Sequence, residues 1–161
     1  MILGMSTAAF TALHVIISLL AIASGLVVCW GLVMAQRMPA CTLFFLVTTW
    51  LTSITGFMLP FVKVGPPHVV AAISVVVLLF ATYALYGRKL AGGWRAVYVV
   101  TAVLALYLNA FVAVVQLFLK QPAFIALAPT QTEPPFAIAH ALTFVFFAGI
   151  GFLGLWRFRV A

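Results

Sequence analysis

Acidic side chains are almost missing from this chain: among 161 residues there is one, Glu133. Paired-carboxylate acid–base chemistry and carboxylate-rich cation sites are excluded from the outset. Charge of either sign is scarce, at 6% of residues, where a soluble domain carries about 25%. Cysteine is limited to Cys29 and Cys41, which form no metal or redox motif and are expected as free thiols near a reducing compartment. Nucleotide-binding glycine loops, nucleophile elbows and zinc-protease signatures are absent as well. No basic n-region precedes the first apolar run, which continues to Ala35 and reads as a retained span.

What remains is hydrocarbon. The chain is 67% hydrophobic, with a mean hydropathy of +1.33. A helix needs roughly 20 apolar residues to cross the bilayer core. Backbone polar groups in lipid must be satisfied within the segment, which demands helices, and the short alternation of a barrel is lacking. The expected fold is an all-α integral membrane protein, a five-transmembrane-helix bundle forming one transmembrane domain over residues 1–161. The helices are expected at about 6–36, 41–60, 67–87, 94–119 and 135–156. Arg37 and Pro39 end the first. Pro66-Pro67 and Pro134-Pro135 read as helix starts, where proline is tolerated. The connection from Lys120 to Pro135, with Pro122, Pro129 and Pro134, reads as the longest loop.

The net charge of +7 would suggest nucleic acid in a soluble protein. Here the cations stand between apolar segments, without a polybasic run, and act as topology signals. One side carries Arg37, Arg88, Lys89, Arg95, Arg157 and Arg159; the other carries Lys63 and Lys120, with Glu133. The positive-inside rule then puts the N-terminus outside and the C-terminus in the cytoplasm, in a multi-pass protein of the inner (plasma) membrane.

Depth follows from the anchors. Counting about 20 residues back from Arg37, Arg88 and Arg157 places the outer edges near positions 16, 68 and 137. His14 and His68 fall at that boundary, and His140 about one turn deeper. Gln116 and Met58 reach the same level. Small and polar residues mark helix contacts in membranes. His14 shares a stripe with Ser18, Ala21, Gly25 and Cys29, and His140 with Thr143, Phe147, Gly151 and Gly154. Asn109, Gln116 and Lys120 occupy one sector of the fourth helix. The hydroxyls of Thr48, Thr49, Thr52, Ser53 and Thr55 are expected to satisfy backbone carbonyls.

Three imidazoles in so apolar a chain are the natural seat of any chemistry. The leading expectation is haem b, with His14 and His140 as the axial pair and His68 as the substitute for either. Phe10, Phe136 and Phe144 would line the slot, and Lys63 and Lys120 would pair with the propionates. Such a protein is an oxidoreductase working in electron transfer or quinol oxidation near the outer leaflet, with a quinone or a redox protein as partner. Copper or zinc held by His14, His68 and His140, with Met58 or Met5 as a soft ligand, is the alternative metal reading. Glu133 lies seven residues before His140, so the two are also candidates for a proton relay, although an acid there equally suits a helix N-terminus. The reading without cofactor is an accessory subunit or a small transporter, as a homo-oligomer or within a larger membrane complex. The second span and Asn109 would then line a contact or a path.

Overall fold

In the computed structural model, which describes residues 2–59 and 66–159, the Ser6 hydroxyl accepts the Ala9 N–H at 3.2 Å and opens α1, Thr7–Val33. The helix closes on a left-handed residue. Ala35 adopts φ 56°, its N–H donates to the Leu32 carbonyl at 3.3 Å, and the Gln36 N–H donates to the Gly31 carbonyl at 2.8 Å. This is a Schellman closure with alanine where glycine is usual. It stops α1 at Val33, short of the expected end at 36.

Proline starts the following elements. Pro39 opens α2, Pro39–Met58, and Pro66 opens α3, Pro66–Thr82. The latter passes into one wide turn, Tyr83–Gly87, with π-type hydrogen bonding closed by the Arg88 N–H on the Tyr83 carbonyl at 2.9 Å. Next come α4, Trp94–Lys120, a short α5, Pro122–Leu127, and α6, Pro134–Arg157. The short helix replaces part of the expected loop. Pro122 stands in its first turn, where the missing N–H costs nothing, and Phe124 packs edge-on against Phe118 with ring centroids 5.2 Å apart.

The described residues form an all-helical protein in which five helices, α1, α2, α3 with its π turn, α4 and α6, are long and apolar enough to cross a membrane. These helices are the mark of a membrane-embedded chain. Sequential helices pack side by side, and α4 touches both neighbours in sequence order as well as α1, so it lies at the centre. The closest approach is at Gly25, where a Cβ would stand 2.6 Å from Leu106 Cδ1 and 2.8 Å from Phe45 Cε2. α1, α2 and α4 therefore meet across a residue without a side chain. The buried hydroxyls of α2 turn back onto their own helix. Thr48, Thr49, Thr52 and Ser53 donate to the carbonyls of Phe44, Phe45, Thr48 and Thr49 at 2.8, 2.7, 2.9 and 3.0 Å. Their protons are thereby spent within α2.

α6 is peripheral. In its most apolar stretch 6% of residues are buried, against 28–39% in the other four spans. Its anchor is Gly154, where a Cβ would lie 3.0 Å from Val99 Cγ1 and 3.5 Å from Leu32 Cβ. That contact sets α1, α4 and α6 in register. It also defines two ends. Arg37, Arg88, Lys89, Arg95, Arg157 and Arg159 gather at one; the starts of α1 and α6 and the end of α4, with His14, Glu133 and Lys120, form the other.

Candidate functional site

The histidines occupy the end opposite the arginines. Measured from the Leu32–Gly154 contact, His14 lies 18 residues up α1 and His140 14 residues up α6. At about 1.5 Å per residue His140 is roughly 6 Å deeper. His68 stands in the first turn of α3, with its ring 6.5 Å from that of Phe57 near the end of α2.

Each ring works at a particular joint. His14 Nδ1 lies 2.8 Å from Thr55 Oγ1. The Thr55 hydroxyl spends its proton on the Leu51 carbonyl at 2.7 Å, so its oxygen accepts and His14 Nδ1–H donates. The ring edge faces α2, where a Cβ on Gly56 would be 3.6 Å from His14 Cε1. Thr55 was legible only as one hydroxyl in a rich stretch; its pairing with His14 needs the relative rotation of two helices.

His140 belongs to the α4–α6 joint. Its Nδ1 lies 3.0 Å from the Phe136 carbonyl, which can only accept. Nδ1 therefore carries the proton, and Nε2 presents a lone pair. That lone pair is buried and has no partner among the described residues. The ring lies 4.6 Å from Phe111 and 4.3 Å from Phe136. Imidazoles that bind metals commonly donate Nδ1–H to a carbonyl in this way. Asn109, nearer the middle of α4, has a buried side-chain nitrogen in the same unpartnered condition.

Other expected site residues divide. Gln116 is half-buried one turn before Lys120 on α4, and Met58 is half-buried at the last residue of α2. Lys63 falls outside the described residues. Glu133 is the N-cap residue of α6, yet its carboxylate serves the preceding loop. Oε1 accepts the Thr130 N–H at 3.1 Å and the Thr130 hydroxyl at 2.8 Å, and Oε2 accepts the Thr132 N–H at 3.1 Å. Desolvation works to raise its pKa, but the Thr130 hydroxyl and the backbone N–H groups outweigh it and hold the carboxyl below its ordinary value.

Among the described residues no three His, Cys, Asp or Glu side chains come together to hold a metal ion. A haem held by His14 and His140 requires their Nε2 atoms on opposite faces of one macrocycle. His14 is bonded to α2 and His140 packs against Phe111 of α4, so the two rings are engaged with different helices. Two cavities are described, both at the arginine end. One of about 540 Å³ is lined by Leu90, Gly92, Arg95, Leu155, Trp156 and Arg159. The other, of about 160 Å³, includes Arg37, Thr42 and Tyr98 in its wall. Neither is lined by histidine. The larger was missed in the sequence, where Arg95 beside Gly92-Gly93 was its only signal.

The chain matches no protein-family model, no curated protein and no solved structure.

Proposed function

We propose that the chain is a cofactor-free accessory subunit of a larger membrane assembly, spanning a plasma membrane five times with its N-terminus outside. The observation that carries this reading is that His14 and His140 are each engaged at a helix joint. His14 clamps α1 to α2 through Thr55, while His140 fills the α4–α6 joint between two phenylalanines. Side chains suited to chemistry are engaged in holding helices together. The α2 hydroxyls, which would have to line a solute path, donate to their own helix, and this favours a contact surface over transport. Orientation rests on the six cations at one end, which the positive-inside rule assigns to the cytoplasm.

A second reading keeps a redox role, and one observation favours it. His140 holds a single tautomer with a buried Nε2 lone pair, suited to an iron atom or to the hydroxyl of a quinol.

One sample decides between them. The protein is extracted from its own membranes in mild detergent, then analysed by light scattering, visible absorbance and elemental analysis. The accessory reading expects a particle heavier than one chain, without a Soret band and without stoichiometric iron, copper or zinc. A Soret band or stoichiometric metal that disappears in His140→Ala establishes the redox reading instead. A colourless single chain with no companion removes the accessory reading as well.

A further inference from the structure

The arginine end poses an electrostatic question. Arg37, Arg88, Lys89, Arg95, Arg157 and Arg159 cluster there, and the only Asp or Glu in the sequence, Glu133, stands at the opposite end. No carboxylate side chain can neutralise them. Arg88 has the face of Trp94, 5.6 Å from its guanidinium carbon, which offers partial compensation. Arg95 and Arg159 instead line a common cavity of about 540 Å³ between the start of α4 and the end of α6.

The cavity is built on a fixed guanidinium. Arg95 Nη1 donates to the Leu155 carbonyl at 3.0 Å and also to the Phe158 carbonyl. These contacts satisfy carbonyls at the C-terminus of α6 and hold the guanidinium plane in place. A guanidinium has further N–H donors in the same plane, arranged to meet two oxygens of an oxyanion at once. Arg159 contributes a second cation to the lining. Gly92, at φ 55°, also lines the cavity, and the space beside its Cα is open, with nothing within 4 Å of where a Cβ would stand. The remaining wall is apolar, from Leu90 and Leu155, with Trp156 65% exposed at its lip. Tryptophan in that position is typical of the headgroup level of a bilayer. The volume lies within the range of small-molecule clefts, about 300–1,000 Å³, and exceeds the need of a bare ion.

We propose that this cavity binds a phosphate group, in the form carried by an anionic phospholipid headgroup or by free phosphate. Two guanidinium groups supply paired donors to its oxygens, and the apolar wall receives the glycerol end. Basic pockets between membrane helices take lipid headgroups on these terms. The site is independent of the histidines and of the accessory reading.

The test uses the full chain in detergent. It is titrated with dispersed phosphatidylglycerol, with phosphatidylcholine and with sodium phosphate, and binding is read by native mass spectrometry and by thermal shift. Phosphatidylglycerol should be retained in preference to phosphatidylcholine, and Arg159→Gln should weaken it about tenfold. Arg37→Gln removes the same charge outside this cavity and should leave the affinity within about twofold. Arg95→Lys keeps the charge but loses the fork, and should weaken retention while the protein stays folded by circular dichroism. Sodium phosphate that displaces the lipid identifies the phosphate group itself as the ligand; phosphate that does not compete identifies the lipid headgroup as the source. Equal losses in Arg159→Gln and Arg37→Gln, or no preference for phosphatidylglycerol together with no phosphate binding, would overturn the proposal.

Discussion

The Nδ1–H of His14 points at the Thr55 hydroxyl oxygen, 2.8 Å away, and that hydroxyl has already given its own proton to the Leu51 carbonyl at 2.7 Å. The direction of the interhelical bond is thereby fixed, and α1 and α2 are tied at the histidine end. Such bonds between membrane helices contribute modestly, because the separated helices also find partners. Thr55→Ala and His14→Ala are each expected to cost about 0.5–1.5 kcal/mol, and the double variant less than their sum. Unfolding in mixed micelles measures the cycle. Strict additivity would show that the two side chains do not interact.

The end of α1 offers a gain of stability. Ala35 holds φ 56° in a Schellman closure, a conformation that costs a residue with a Cβ and costs glycine nothing. Ala35→Gly relieves that strain, partly offset by the greater freedom of glycine in the unfolded chain. The expected net effect is a stabilisation of about 0.5–1 kcal/mol. An unchanged or lowered unfolding midpoint would argue that the left-handed turn is not what ends the helix.

That turn also illustrates what the sequence could and could not reveal. Five spans were legible because 20-residue apolar windows separated by cations and prolines have one physical solution in lipid. Pro66 and Pro134 read as helix starts and do head α3 and α6, whereas Pro39, read as ending the first span, heads α2. Ala35 carries no such mark, since alanine is an excellent helix former and only the closure of the chain turns it left-handed. Pro122 was read as part of the long loop, but a proline can also begin a helix, and here it begins α5. The polar-residue stripes were legible too. Ala21, Gly25 and Cys29 are buried along the His14 stripe, and Phe147 and Gly154 along that of His140. What periodicity lacks is the identity of the facing helix. A stripe shows which side of a helix turns inward, and only packing decides that His14 meets α2 while His140 meets α4.

Packing is least tolerant at Gly25. A Cβ there would stand 2.6 Å from Leu106 and 2.8 Å from Phe45, both of which are fully buried. A methyl has some prospect of accommodation, because alanine favours the helix over glycine by about 1 kcal/mol. A branched side chain has none, since it must displace two filled core positions. Gly25→Val should destabilise the bundle by about 2–3 kcal/mol, read from the unfolding midpoint and from cross-linking between α1 and α4. A neutral result would mean that the three helices do not meet at this residue.

His140 separates stability from ligand binding. Its Nε2 is buried without a partner among the described residues, a condition that costs about 1–3 kcal/mol when nothing fills it. Phenylalanine has nearly the same shape and would join Phe111 and Phe136, which already flank the ring. It forfeits the bond to the Phe136 carbonyl, but that oxygen keeps its helical partner. His140→Phe is therefore expected to be neutral or stabilising by up to about 1 kcal/mol. If Nε2 holds a ligand in the native membrane, the same variant becomes less stable than the wild type there while remaining well folded in detergent. Destabilisation in ligand-free detergent would show that the ring's own hydrogen bond matters more than its orphaned nitrogen.

The loop before α6 depends on the charge of Glu133. Its carboxylate accepts from the Thr130 hydroxyl and from the Thr130 and Thr132 N–H groups, and these bonds favour the ionised form. The folded-state pKa is depressed below the ordinary 4.5. A depressed acid stabilises the folded loop at every pH above the unfolded value, and that contribution fades as the pH falls toward and through the folded value. Protection of the Thr130 and Thr132 amides against hydrogen exchange, corrected for intrinsic rates, should hold from about pH 7 to about pH 5 and decline below it. Glu133→Gln keeps an acceptor oxygen without the charge, so its protection should be lower and flat across the same range. Were the wild type and Glu133→Gln to lose protection in parallel on acidification, the titrating group would lie elsewhere.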